Sequence, residues 1–380
     1  MILDKLAKLD KLRVIRAIVA AGAAAGMLCS RKLWVSSGRL YPPIPLFEWT
    51  SSPPYPADYV LFGLTLAALA GIAIAPRPRV FLITFLGLAA LLFLLDQSRL
   101  QPWWLEYAAI SGALVAGSLA SCRLFFICMY FYSGVQKLNY GFAVILASML
   151  QPIVVDRLHW SAAWLGPRTL VPVGILLGLI EGASGLLLAF PRTRRIGCIL
   201  LIGMHLMLLA WLGPLGLNQN RVIWPWNVVQ ILLLLVLFAG RDKWDLPALW
   251  RRHWYAKAVA IAFGVLPLLS LAGAWDSYLG FSFYSGHTKE AMLYVDPKRH
   301  QGLPPGLRPY LKADGILDLH RWSTEELGVP VYPETRIFTA LGRQVALWLN
   351  RSDSVRVIQM QRADWLTGRR QSTSYDPLTY

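Results

Sequence analysis

Charge is scarce in this sequence: 15% of its 380 residues are Asp, Glu, Lys or Arg, against 56% hydrophobic. A water-soluble domain carries about 25% charged residues, so the balance argues against a soluble globular protein. Cysteine is scarcer still, with only Cys29, Cys122, Cys128 and Cys198. They form no CxxC pair and no zinc-type spacing, and each sits in or beside an apolar block as a small hydrophobe. None follows Ile199, so no internal disulfide holds the C-terminal part. The chain also lacks a P-loop, a GxGxxG, a GxSxG and an HExxH motif, and with them the sites those motifs build. Asp156 and His159 are too loose a pair to make a metal site, so no metal is expected. Internal repeats and low-complexity tracts are absent too.

What the sequence has in abundance is long apolar runs. A membrane crossing needs about 20 mostly apolar residues, with ~17 as a practical minimum. Nine blocks qualify or come close: 15–29, 59–75, 80–95, 105–120, 124–138, 170–190, 196–212, 222–238 and 256–274. A tenth stretch, 141–155, follows the fifth with almost no turn and reads as a re-entrant or surface-lying piece. The fold expected is an all-α polytopic membrane bundle of about nine transmembrane helices, occupying residues 1–280. The 16 Trp, 15 Tyr and 15 Phe exclude disorder. The basic start followed by an Ala/Gly-rich run fits a retained first helix better than a signal peptide, since no clean cleavage site follows.

The net charge of +16 is distributed in short groups between apolar blocks, which suits orientation in a bilayer better than nucleic-acid binding. With the N-terminus cytoplasmic, nine crossings place sixteen basic residues inside: Lys5, Lys8, Lys11, Arg13, Arg16, Arg77, Arg79, Arg123, Arg192, Arg194, Arg195, Arg241, Lys243, Arg251, Arg252 and Lys257. Seven fall outside: Arg31, Lys32, Arg39, Arg99, Arg157, Arg168 and Arg221. That split follows the positive-inside rule, with Pro191-Arg-Thr-Arg-Arg195 as its clearest stop. It puts the tail outside the membrane, the periplasm if the cell is bacterial and the membrane its inner one. The Pro- and aromatic-rich loop 34–58 cannot be helical and is expected to cap the outer surface. The more polar residues 281–380 read as a small external α+β domain. Its helix spans 334–350, with Phe338, Leu341, Val345 and Trp348 on one face, and its strands fall near 290–295 and 354–361.

Ionisable groups inside such a bundle are expensive and mark function by default. Five stand out: Asp96, Glu106, Lys137, Glu181 and His205. The topology puts Asp96, Glu106 and Lys137 at outer helix ends and Glu181 and His205 near the middle of theirs, so all five are expected to line one cavity open to the outside. Gly178, Glu181, Gly182 and Gly185 share a helix face, so Glu181 points into the bundle. Lys137 shares its face with Tyr130, Ser133 and Gly134. A lysine desolvated there would favour the neutral amine, a general base. The structural reading is that it pairs with Asp96, Glu106 or Glu181 to lock helices, or snorkels to the interface. His205 is either an interhelical hydrogen-bonding group or a proton relay. Asn218, Asn220, Trp224, Trp226 and Asn227 gather where the eighth helix enters, and Asn227 lies deep enough to need a partner.

Phe131-Tyr-Ser-Gly-Val-Gln-Lys137-Leu-Asn139 resembles the lysine motif of the vitamin-K-dependent gamma-carboxylase and its bacterial HTTM relatives. Glu181-Gly-Ala-Ser-Gly-Leu-Leu-Leu-Ala-Phe190 with Arg194-Arg-Ile-Gly197, the His-bearing Met204-His205-Leu206, and the turn Asp96-Gln-Ser-Arg-Leu-Gln-Pro-Trp103 are similar to further segments of that family. They come in the family's order, over residues 60–240. The shorter DoxX-type membrane proteins, linked to quinone-coupled redox, have a similar helix pattern. The resemblance implies that Lys137 is the base that deprotonates a bound quinol, with Glu181 and His205 as catalytic partners. It leaves Asp96, Tyr130, Trp224 and Asn227 to bind a quinol or quinone cofactor. Gln136 stands where the family has a first lysine and Asn139 where it has an acidic residue. The tail is far smaller than the carboxylase's lumenal part, so carboxylation of protein glutamates is not carried over.

Two functions follow. One is an outward-facing, quinol-linked enzyme with membrane lipids around it. The other is a non-catalytic membrane subunit or scaffold whose external tail docks a partner protein. Its signature would be an intramembrane lysine fully paired with a carboxylate and no cavity beside it.

Overall fold

The computed structural model describes residues 2–50, 52–240, 254–350 and 354–379. Arg241, Lys243, Arg251 and Arg252, expected on the cytoplasmic side, lie outside the described residues. The described chain is mostly helical: α1 (Ile2–Cys29), the short turn α2 (Arg31–Trp34), α3 (Ala57–Ile74), α4 (Arg79–Leu95), α5 (Pro102–Val115) and α6 (Leu119–Val135) come first. Then follow α7 (Tyr140–Arg157), α8 (Pro167–Leu187), α9 (Arg194–Leu212), α10 (Ile223–Phe238) and α11 (Trp254–Leu271). Six of these, α1, α3, α7, α8, α9 and α11, are long and apolar enough to cross a membrane, and α4, α6 and α10 are shorter apolar helices.

Local chemistry sets the helix ends that matter for the site. Ser118 starts α6, its Oγ accepting the Ser121 N–H at 3.2 Å. Asn139 works in both directions at the next junction. Its Oδ1 accepts the Phe142 N–H to start α7, and its Nδ2 donates to the Gln136 carbonyl at the end of α6. Pro167 opens α8 at the first-turn position where a missing N–H costs nothing.

The most extensive helix pair is α6 with α8, and glycine makes it possible. A Cβ on Gly134 would lie 2.5 Å from the Gly178 carbonyl oxygen, and one on Gly185 would lie 2.7 Å from the Phe131 nitrogen. Only hydrogen fits where two backbones approach so closely. The face inferred from sequence for Glu181 is therefore the face that packs.

Helix α7 is long enough to cross a bilayer, yet both of its ends sit at one end of the bundle. The Tyr140 N–H donates to the Trp365 carbonyl in the tail at 3.0 Å. At the other end, Arg157 donates to the Gly216 carbonyl at 2.8 Å, in the loop joining α9 and α10. The stretch expected from sequence to be re-entrant or surface-lying is thus a single helix tied at both ends to the tail side of the bundle.

The tail holds a four-stranded antiparallel sheet in the order β2-β1-β3-β4. Its strands are β1 (Glu290–Val295), β2 (Ile316–Leu317), β3 (Val355–Met360) and β4 (Ser372–Tyr375). Two helices pack with it, α12 (Leu319–Leu327) and α13 (Thr335–Trp348); α13 buries Ile337, Phe338, Leu341 and Val345. Sequence patterning located β1, β3 and α13, and missed α12 and the two short strands. The tail is not a separate ball. Glu326 of α12 accepts the Leu40 and Tyr41 N–H groups of the 34–58 loop. Arg336 donates to Gln97 at 2.5 Å. One continuous buried apolar cluster runs from Ile15 of α1 to Val357 of β3.

Candidate functional site

Between α6, α8, α9 and α10 lies a cavity of about 330 Å³. Its wall is apolar except for a few side chains: Tyr130, Ser133 and Lys137 from α6 and the turn after it, Glu181 and Ser184 from α8, His205 from α9, and Asn227 and Gln230 from α10. Ile180, Leu200 and Met207 line it too, and all three are exposed on the outer surface of the bundle. The cavity therefore opens sideways, between α8 and α9, through an apolar mouth.

Lys137 and Glu181 form an ion pair, Nζ to Oε2, of 2.9 Å, with the lysine side chain 11% and the glutamate side chain 9% exposed. The amine also donates to the Ser133 hydroxyl at 2.8 Å and the Ser133 carbonyl at 3.2 Å. The Phe142 ring lies 5.9 Å from it on the remaining side, a cation–π distance. An ammonium has three N–H donors, and three oxygens surround this one.

A second network crosses the cavity one turn deeper. His205 Nδ1 lies 2.6 Å from Asn227 Oδ1, while Asn227 Nδ2 donates to the Ile223 carbonyl. That second bond fixes the amide, so Nδ1 must carry a proton and donate. His205 Nε2 is 2.7 Å from the Tyr130 hydroxyl, which also reaches Gln230 Oε1 at 3.1 Å. With a neutral ring, Tyr130 donates to Nε2. With an imidazolium, Nε2 donates to Tyr130, which turns its proton to Gln230. The cluster thus accepts either state of His205 with no heavy-atom movement.

Gln230 passes the chain on to Glu106, whose Oε2 also accepts the Trp226 indole N–H at 2.7 Å. Glu106 is fully buried, and its Oε1 has no hydrogen-bond partner among the described residues. It stands behind the cavity wall, joined to it through Trp226 and Gln230.

Of the residues singled out from sequence, the structure thus gathers Lys137, Glu181, His205, Tyr130 and Asn227 around one space. Two others are elsewhere. Asp96 accepts the Arg39 guanidinium at 2.5 Å and the N–H groups of Ile44 and Ser98, fully buried beyond the end of α4. That carboxylate staples the 34–58 loop to the bundle and does not line the cavity. Trp224 points its indole at the Leu212 and Gln219 carbonyls and ties down the loop between α9 and α10. A single cavity shared by all five ionisable groups is therefore not what forms. Sequence reasoning missed Gln230, which lies three residues after Asn227 and so on the same face. It also missed Phe283 and Tyr284, which come from the connector after α11 and carry no pattern that could have flagged them.

Those two residues, with Ile223 and Trp226, are shared with a second cavity of about 500 Å³ between the bundle and the tail. Its wall includes Gln101–Trp103, Glu290–Met292 and Lys312. Two of its lining charges are paired, Lys289 with Glu334 at 3.0 Å and Glu290 with Arg370 at 2.9 Å. Among the described residues no group of three or more His, Cys, Asp or Glu could hold a metal ion.

Compared with family models, with curated proteins and with solved structures, the chain finds no match.

Proposed function

We propose that this chain is an integral membrane enzyme that takes a lipid-borne weak acid, a hydroquinone, into the cavity between α6, α8, α9 and α10 and removes its proton. In this reading about nine helices cross the membrane, with α7 lying along the outer face. The N-terminus is cytoplasmic and the tail is outside. Supporting it are the long apolar helices and the outward-facing apolar side chains on α8 and α9, such as Leu176, Leu179, Ile199 and Leu206. The basic groups between the spans add the orientation.

The observation that carries the proposal is the coincidence of an apolar cavity, open sideways, with an ion pair and a histidine network on its wall. A small lipid-soluble ring could enter from the bilayer between α8 and α9 without crossing water. There it would meet groups able to take and pass a proton, Lys137 and Glu181 first, then Tyr130 and His205. The resemblance of the Lys137 segment to the gamma-carboxylase and HTTM group supports a hydroquinone as that acid.

The scaffold reading calls for the same paired lysine but with no cavity beside it. The pairing is present and so is a cavity, which favours the enzyme. The test is hydroquinone-dependent oxygen uptake by the full chain in proteoliposomes. Lys137→Met, expressed to the same level, should abolish it. Uptake unchanged in that variant would remove the reading.

A further inference from the structure

If a lysine sits on the wall as an ammonium with every donor engaged, it has no lone pair to offer. That is the condition of Lys137, whose Nζ is surrounded by Glu181 Oε2 and two oxygens of Ser133 within 3.2 Å. A neutral amine would have two protons for these three oxygens and could fill its lone pair only by turning the Ser133 hydroxyl into a donor, whereas the ammonium donates to all three and keeps the Glu181 carboxylate as an ion-pair partner. Glu181 is in the opposite position. Its Oε2 is held by the lysine, its side chain lines the same cavity, and a carboxylate is acceptor-only.

We infer that Glu181 is the group that takes the proton from the acid in the cavity, and that Lys137 is its fixed counter-ion. This rests on the proposed function for the reaction but assigns the base differently. The step balances without any co-reactant. The acid's O–H bond breaks, an O–H bond forms on Glu181, and the electron pair stays on the acid as its anion. Before the transfer the wall holds an ammonium and a carboxylate. After it, the same ammonium faces the new anion and Glu181 is a neutral carboxylic acid. Net charge in the cavity does not change, so no uncompensated ion is created in an apolar place, where desolvation opposes it. Lys137 exchanges one anionic partner for another without moving a proton. The residues behind it fit this role. Gly178 packs against the lysine Cβ, where an added methyl would come within 3.2 Å, and so holds the stem against α8.

Arginine separates the two assignments, because it keeps the charge and cannot act as a base. Two readouts serve: hydroquinone-dependent oxygen uptake, and the colour of 4-nitrophenol added at a pH where the free dye is protonated. The dye reports proton transfer in the cavity whatever the natural acid is. Lys137→Arg should keep uptake within about tenfold and should still bind the dye as yellow phenolate. Glu181→Gln should lose uptake by about 100-fold or more and bind the dye colourless or not at all. Guanidinium, a cation that is no base, should partly restore Lys137→Ala. Loss of both signals in Lys137→Arg while Glu181→Gln keeps them would overturn the inference, and so would a protonated dye in the wild-type chain. Should uptake be absent in the wild type while the dye still follows Glu181, the hydroquinone falls and the base assignment stands. The double variant Lys137→Met/Glu181→Gln removes both charges together. It controls for folding, since neither partner is left unpaired.

Discussion

The closeness of α6 and α8 makes a graded prediction about glycine. A methyl group at Gly134 would sit 2.5 Å from the Gly178 oxygen and from the Gly182 Cα. Non-bonded heavy atoms prefer about 3.5 Å or more, so the helices would have to separate by about 1 Å along their whole contact. All the atoms in the way belong to backbone, and none can rotate aside. Overpacking of this kind costs about 1–3 kcal/mol and occasionally more, and the upper end is expected here. Gly185→Ala should behave alike, since its methyl meets the Phe131 nitrogen at 2.7 Å. Gly182→Ala, whose nearest obstacle is the Phe131 carbonyl oxygen at 3.3 Å, should cost well under half as much. Gly63→Ala and Gly87→Ala, with nothing within 4 Å, should be neutral or slightly stabilising.

Thermal unfolding of the purified chain in one detergent reads the series directly. Gly134→Ala and Gly185→Ala should fall by about 3–5 °C, Gly182→Ala by about 1–2 °C, and the two controls not at all. The order matters more than the sizes. If Gly134→Ala unfolds with the controls, backbone contact between α6 and α8 does not hold the pair together. The placement of Lys137 against Glu181 would then need another cause.

Two further outcomes test the neighbouring chemistry. Tyr130→Phe removes one hydroxyl and leaves His205 Nε2 and Gln230 Oε1 without their shared partner. It should lower stability by about 1–3 kcal/mol and slow uptake more than binding, as steady-state kinetics of the variant would show. In the tail, burial pushes the His287 imidazole down to about 4, with the Arg362 and Arg370 charges adding to it and the Ala363 carbonyl opposing. The unfolded chain binds a proton there near pH 6.5, so tail stability should be full above that value and fall by about 2 kcal/mol on the way to pH 4, after allowing for solvent at its edge. Limited proteolysis of the tail at pH 7 and pH 4.5 should show the loosening. His287→Gln, which keeps a donor for Ala363 but cannot titrate, should flatten the difference.

Much of the helical half was legible because two simple signals coincide there. Hydropathy marked the long blocks, and spacing of small residues marked their contact faces: Gly178, Gly182 and Gly185 pointed to the side of α8 that meets Gly134. Cost of burial marked Lys137, Glu181 and His205, and the three do line one space. The same rule misplaced Asp96. A buried carboxylate is expensive wherever it lies, and the rule does not distinguish a ligand site from a staple held by Arg39 and two backbone N–H groups. The ends of helices were less legible. The fifth block was read as 124–138, while the helix stops at Val135 because Asn139 caps α7 and ties back to Gln136. Phe283 and Tyr284 could not be read at all, because their place depends on how the tail folds back. Tyr284 holds a left-handed backbone conformation, φ 49°, which sequence gives no reason to expect of a tyrosine.

That dependence bears on what the tail is for. A tail that only docked a partner could be attached by a flexible link. This one supplies Phe283 to the cavity wall, edge-on to Trp226 at 5.8 Å between ring centroids. Trp226 in turn holds Glu106. The connector is pinned by Asn139, which donates to the Ser285 carbonyl at 2.9 Å two residues after Lys137. Aromatic rings closing that end would exclude water from the cavity, and exclusion of water strengthens a charge pair that steers a proton. Removing residues 282–380 would therefore open the cavity as well as remove any docking surface, so loss of activity in that deletion cannot by itself identify a partner. A sharper choice is Phe283→Ala, which leaves the outer faces of the sheet and of α13 intact. It should reduce uptake by about tenfold or more by admitting water beside Trp226, with capture of any tail-bound protein unchanged. Full activity in Phe283→Ala would show that the tail seals nothing, and the scaffold reading would regain its ground.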